Sequence, residues 1–162
     1  MSPRLLWIRL ASASALAAGL GLALSPPRPA ERMPVLAAAG LGLTAGVILF
    51  TAVLRRPPAL ARITSGSSVV GKQLFLALCA ANEEVIWRRV VLGELLPAGG
   101  LAALAASSAG FAVAHPRARP LHAATGATFG VVYLATGVLV ASVAAHWVYN
   151  ALVSSLVERV PP

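Results

Sequence analysis

Polar positions are scarce along this chain and fall in short clusters. Between them run apolar stretches: Leu5 to Leu24, Pro34 to Leu54, a stretch beginning near Val69, then Leu101 to His115, Leu121 to Ala135 and Val138 to Val157. A helix needs about 20 apolar residues to cross a hydrocarbon core of roughly 30 Å. Helix breakers separate the stretches: the proline-rich Ser25 to Met33, Arg55-Arg56-Pro57-Pro58, Pro97-Ala98-Gly99-Gly100, Pro116, and Thr136-Gly137. The pattern predicts an all-α fold, a polytopic transmembrane helical bundle of about six spans. Residues 1–68 would hold two N-terminal helices and the polar linker Ala59 to Ser68. Residues 69–157 would form a four-helix core, and residues 158–162 a short tail.

The first stretch, preceded by Arg4 and interrupted by Arg9, could also be a signal peptide. Its length, and the lack of a small-x-small cleavage pattern before Ser25-Pro26-Pro27, favour an uncleaved span. Gly42-x-x-x-Gly46 and Gly126-x-x-x-Gly130 predict close helix approaches.

Composition agrees. The 162 residues are 58% hydrophobic and 11% charged, against about 45–50% and about 25% in soluble domains. No soluble domain fits in the remaining length. The single cysteine, Cys79, excludes an internal disulfide. The formal net charge is +8, but the arginines flank apolar stretches, so topology and anionic headgroups explain them without nucleic acid as a partner. With six spans, Arg4, Arg55, Arg56, Arg62, Arg117, Arg119 and Arg159 share one side, while Arg28 and Arg32 lie on the other. By the positive-inside rule both termini are then cytoplasmic.

One cluster breaks the pattern. Glu83-Glu84-Val85-Ile86-Trp87-Arg88 lies inside a run otherwise suited to lipid. A charge at the middle of a membrane helix costs roughly 2.5–3.5 kcal/mol, so such a cluster is first of all a candidate functional site. Glu84 and Arg88, four apart, share a helix face and can pair as a structural lock. Glu83, rotated by about 100°, faces elsewhere. Phe111 and His115 are also four apart, as are His146 and Asn150. Three helices therefore each present a polar face, and in lipid those faces must meet. For Glu83 to reach the depth of His115, the third helix must continue past Arg88 to about Leu96.

A carboxylate and two imidazoles in a dry cavity suit hydrolysis. The carboxylate can act as general base on water. The histidines can hold a metal that acidifies the water, or hydrogen-bond directly, and an asparagine amide is an oxyanion donor. Other polar residues have plainer readings. His122 is expected at the interface, Lys72 to snorkel to it, and Trp87, Trp147 and Tyr149 to pack or form an aromatic belt. Trp147 and Tyr149 could also shape a substrate groove. Arg89 acquires no role from the pattern.

Glu83-Glu84-x-x-x-Arg88, Phe111-x-x-x-His115 and His146-x-x-x-Asn150, on successive helices, resemble the three motifs of the CAAX-protease and bacteriocin-processing family. These are intramembrane endopeptidases related to type II CAAX prenyl endopeptidases. The stretch Phe129 to Gly137 resembles the family's approach to its last motif. The resemblance runs from about Val69 to Val157. It implies that Glu83 activates water, that His115 and His146 complete the site, that Asn150 stabilises the oxyanion, and that Glu84, Arg88 and Phe111 hold the geometry. It also implies a divalent metal, zinc, on His115, His146 and Glu83, or a glutamate-activated water without metal. Arg89 stands where relatives often have glycine. The implied setting is the cytoplasmic (inner) membrane of a prokaryote, with a membrane-embedded or lipid-linked peptide or protein as substrate. Two other classes compete: a non-catalytic immunity or scaffold protein of the same fold, and a proton-coupled carrier. A carrier would more often show internal repeats, and the chain has none that stand out.

Overall fold

A computed structural model of the protein describes residues 3–24, 26–58 and 69–157. Ser25, the predicted linker 59–68 with Arg62, and the predicted tail 158–162 with Glu158 and Arg159 lie outside the described residues.

The described chain is a bundle of six helices: α1 (Pro3–Ala23), α2 (Val35–Leu54), α3 (from Val69), α4 (Gly100–Ala114), α5 (Arg119–Thr136) and α6 (Leu139–Val157). Three of them, over Arg4–Ala23, Val35–Leu54 and Leu139–Leu156, are long and apolar enough on their own to cross a membrane, and α4 is a shorter apolar helix. α3 is more polar because it carries the Glu83-to-Arg89 cluster, of which Glu84, Arg88 and Arg89 are buried, and α5 because it carries the exposed Arg119 and the half-buried His122. Large apolar side chains such as Leu22, Leu36, Val70 and Leu101 cover much of the exterior, as a lipid-facing surface requires.

Glycines bring the helices together where the sequence predicts. A Cβ on Gly42 or Gly46 would run into the backbone carbonyl of Ala141 or Ala145, so α2 lies directly on α6. Leu49, Phe50, Val148, Tyr149 and Leu152 continue that seam. Gly126 makes room for the Phe111 ring between α5 and α4. Neighbours in sequence alternate in direction. α1 runs parallel to α3, with Trp7 on Phe75, Ser14 accepting a hydrogen bond from Asn82 at 2.9 Å, and Gly21 beside Val85. α2 likewise runs parallel to α6, and α4 descends antiparallel to α3. The start of α1 and the end of α6 therefore lie on the same face of the bundle.

α3 positions the site. It is α-helical over Val69–Glu84, widens into a π-helical segment over Val85–Leu92, and closes through Gly93–Leu95 and a 3-10 turn at Leu96–Ala98. The dihedral angles stay helical through both junctions. The predicted continuation to about Leu96 is thus present without a break, but the π widening has no mark in the residue pattern. Such widened turns recur at functional sites. Here the segment sends adjacent arginines to opposite sides: Arg88 toward α4 and α5, Arg89 toward the segment after α1.

α4 ends at Ala114, beside Glu83, with His115 already non-helical at φ −115° and ψ 79°. α3 extends 14 residues, about 21 Å of rise, beyond Glu83 toward its own start. Among the described residues, the turn from His115 to Ala118 is therefore recessed, deeper in the bundle than the start of α3 and the end of α6.

Candidate active site

Two adjacent glutamates on α3 make separate sets of contacts. The side chains of Glu84 and Arg88 are fully buried, and Glu84 Oε2 lies 3.1 Å from Arg88 Nε. That contact is an ion pair of poor hydrogen-bond geometry, since neither atom makes a well-aligned hydrogen bond among the described residues. The other guanidinium nitrogens are satisfied. Nη2 donates to the carbonyl of Gly126 on α5 at 3.0 Å, and Nη1 donates to Ser107 Oγ on α4 at 3.4 Å. Ser107 in turn donates to the carbonyl of Trp87 at 2.7 Å, and the Phe111 ring lies 5.3 Å from the guanidinium carbon. Arg88 therefore ties three helices together through contacts that leave few polar atoms unpaired. A buried charge is tolerated only with such partners.

The second oxygen of Glu84 turns to α6. His146 Nδ1 lies 2.9 Å from Glu84 Oε1. A carboxylate oxygen accepts, so Nδ1 is the donor, and Nε2 is the atom presented elsewhere. Phe129 stacks on the imidazole at 4.6 Å between centroids and 16° between planes, fixing the ring's tilt. The expected lock of Glu84 and Arg88 is present, and it also orients His146.

His115 is oriented by a different device with the same outcome. Its Nδ1 lies 2.8 Å from the carbonyl of Phe111, so Nδ1 again donates and Nε2 is presented. The Phe111 ring packs against the imidazole at 4.5 Å, as the four-residue spacing predicts. The two Nε2 atoms converge on one oxygen: Glu83 Oε2 stands 3.7 Å from that of His115 and 3.8 Å from that of His146. Glu83 and His115 keep 34% and 31% of their side-chain surface, whereas Glu84 is sealed.

Glu83, His115 and His146 line a cavity of about 220 Å³, and Asn150, Tyr149, Phe111, Phe129, Leu121, His122 and Thr125 complete its wall. Of the sequence-predicted site residues, Glu83, Phe111, His115, His146 and Asn150 line this cavity, Glu84 bonds to His146 from behind it, and Arg88 stands one step further back, paired with Glu84. Tyr149 belongs to the wall, whereas Trp147 turns away and donates to Gln73 Oε1 at 3.2 Å.

His122, expected at the interface, also forms part of the wall. Its ring stacks on His115 at 4.5 Å and 9°, and its Nδ1 donates to the carbonyl of Ala118 at 3.1 Å. Sequence reasoning missed it because its partner lies across the recessed turn, on no shared helix face. Ser107, a small residue in an alanine-rich helix, left no signal either.

Two imidazole nitrogens and a carboxylate oxygen are donors of the kind a zinc ion takes, and the Glu84 contact to His146 is the usual outer support of a metal-bound histidine. The spacing is wider than such a set needs. Tetrahedral zinc with bonds of about 2.0–2.1 Å separates its ligand atoms by about 3.3 Å, less than the 3.7 and 3.8 Å found here. Among the described residues, no group of three His, Cys, Asp or Glu stands at metal-holding spacing. Both Nε2 atoms stand beyond direct hydrogen-bond length from Glu83 Oε2, a separation that a water molecule can bridge.

Residues 66–152 match the family model described as type II CAAX prenyl endopeptidase Rce1-like. No curated protein and no solved structure matches the chain.

Proposed function

The chain belongs to the Rce1-like family of type II CAAX prenyl endopeptidases, and from that premise we propose that it is an intramembrane endopeptidase in which Glu83 activates a water molecule. The observation that carries this reading is the convergence of the His115 and His146 Nε2 atoms on Glu83 Oε2 in a shared cavity.

In the proposed reaction Glu83 takes a proton from water as the oxygen attacks the scissile carbonyl carbon. The C–O bond forms, and the carbonyl oxygen becomes an oxyanion. Asn150, on the cavity wall one turn beyond His146 on α6, donates to that oxygen. The C–N bond then breaks, and the proton held by Glu83 passes to the departing amine. His115 and His146 hold the water and the developing charge through Nε2, each in the tautomer its Nδ1 contact selects. Glu84 and Arg88 keep His146 and Glu83 in register. A divalent ion, if bound, would sit on these same nitrogens and oxygen and acidify the water.

The substrate is a membrane-embedded or lipid-linked peptide or protein, because the cavity lies within the bundle. The basic face, with Arg4, Arg55, Arg56, Arg117 and Arg119, is assigned to the cytoplasm by the positive-inside rule, in the inner membrane of a prokaryote. Both termini would then be cytoplasmic. Reporter fusions at the C-terminus and within residues 26–33 should report opposite sides; the same side for both would refute this topology.

The reading is tested by incubating purified protein in liposomes with a panel of membrane peptides in ¹⁸O-water. Cleavage should place one ¹⁸O atom in the new carboxyl terminus, and Glu83→Gln should remove that product. Chelators should leave cleavage unchanged. Loss on chelation with recovery on zinc would instead put an ion at the two Nε2 atoms.

A further inference from the structure

The second arginine of the cluster, Arg89, takes no part in the cavity above. It is buried, and its Nη1 donates to the carbonyls of Pro26 and Pro27. Carbonyls satisfy hydrogen bonds but carry no charge, so the guanidinium has only neutral hydrogen-bond partners among the described residues. It borders a second cavity, of about 420 Å³, on the opposite side of α3. Arg28, Glu31 and Tyr133 supply the rest of its polar wall, and Gly21 and Leu22 are among the apolar residues of α1 that line it.

The segment 26–32 is held firmly in place as one wall. The Arg32 amide donates to the carbonyl of Thr136 at 2.9 Å. Gly137, at φ 72°, has no room for a Cβ against the carbonyl of Ala30, and a Cβ on Gly93 would meet the carbonyl of Pro27. Residues 26–32 are non-helical, and such backbone is not left exposed to hydrocarbon. This segment therefore marks the headgroup level of the bilayer, and the Leu22 side of the cavity points down α1 toward the acyl chains. Leu22 itself is 80% exposed.

We infer that this cavity binds one anionic phospholipid, its phosphodiester on Arg28 and Arg89 and its acyl chains along Gly21 and Leu22. Charge favours this occupant. Two guanidiniums and the Glu31 carboxylate leave a formal +1 on the wall, which a phosphodiester of charge −1 neutralises. Arginine is suited to the site because its planar fork pairs with two phosphate oxygens. The apolar side of the wall then needs an amphiphile and not a free anion.

The test uses the full chain, delipidated in mild detergent and offered vesicles of phosphatidylglycerol or phosphatidylcholine, with retained lipid counted by native mass spectrometry. One phosphatidylglycerol should be retained per chain in preference to phosphatidylcholine. Arg28→Leu should lower that preference by about fivefold, the usual contribution of one arginine at an anionic membrane surface. Arg28 is exposed, so this variant should keep the thermal stability of the lipid-free protein. Arg89→Met should lower the preference at least as much, provided it folds. Arg4→Leu, at the other end of α1, should leave it unchanged and so separates the site from general attraction to a basic protein. Equal retention of the two lipids, or a preference untouched in Arg28→Leu, would overturn the proposal. Displacement of the lipid by millimolar inorganic phosphate would also overturn it, because the ligand would then be a soluble anion.

Discussion

Glu83 and Glu84 are neighbours on one helix, and the bundle treats them in opposite ways. Glu84 is sealed, with an ion pair to Arg88 at 3.1 Å and a contact to His146 at 2.9 Å. Glu83 is one-third exposed, and its two nearest imidazole nitrogens stay beyond direct hydrogen-bond distance. A carboxylate sealed from water and held by a cation and an imidazole is not placed to take a proton from a water molecule at the substrate. A carboxylate held at water-bridging distance from two oriented nitrogens is so placed. The contrast separates a structural acid from a chemical one within a single dipeptide. His146 belongs to both: Nδ1 reports to Glu84 and Nε2 faces Glu83.

That dual position gives the largest expected effect. His146→Ala should lower cleavage per folded molecule by roughly 10²–10⁴-fold, the range of a lost acid–base element, and should also lower stability by leaving Glu84 short of a partner. His115→Ala, which touches only the open half, should match it in activity while unfolding at nearly the wild-type temperature. If the two variants were equally destabilised, the division between the glutamates would fail.

Arg88→Ala acts on the sealed half alone. It leaves Glu84 buried without its cation, which typically costs 3–5 kcal/mol. Little folded protein should be recovered, and any folded fraction should be measurably active. Near-normal yield with no activity would move Arg88 into the chemistry. Asn150→Ala should do the reverse, keeping yield while slowing turnover by roughly 10²–10³-fold, the effect of one lost oxyanion donor.

The smallest effect belongs to His122. Stacked rings contribute about 0.5–1.5 kcal/mol, so His122→Ala should slow cleavage by about two- to tenfold through a looser His115, and His122→Phe should restore it. Failure of phenylalanine to restore the rate would give the His122 imidazole a polar role of its own.

The legibility of these features in the sequence follows their physics. Helix limits were readable because proline and glycine mark them: Pro97-Ala98-Gly99-Gly100 stops α3, Pro116 stops α4, and Gly137 turns α5 into α6. Helix existence followed from the cost of exposing backbone to lipid. The site was readable because charges and histidines four apart must face inward somewhere in a bundle. The features that escaped reading depend on backbone or on tertiary neighbours. Arg88 uses the Gly126 carbonyl and Arg89 those of Pro26 and Pro27, and carbonyls are the same in every residue. The π-helical stretch over Val85–Leu92 changes the hydrogen-bond ladder without changing residue type. His122 acquires its place only because the recessed turn folds α5 back onto His115.

The most direct test compares two conservative changes at adjacent positions. Glu83→Gln and Glu84→Gln each remove one carboxylate and keep its size. Both should be purified alongside wild type, their folded fractions measured, and cleavage of one proven substrate expressed per folded molecule in the same liposomes. Glu83→Gln should fold normally and lose nearly all turnover. Glu84→Gln should fold poorly, with its folded molecules retaining activity well above those of Glu83→Gln. Undiminished turnover in Glu83→Gln, or the two variants exchanging these behaviours, would contradict the assignment of the chemistry to Glu83.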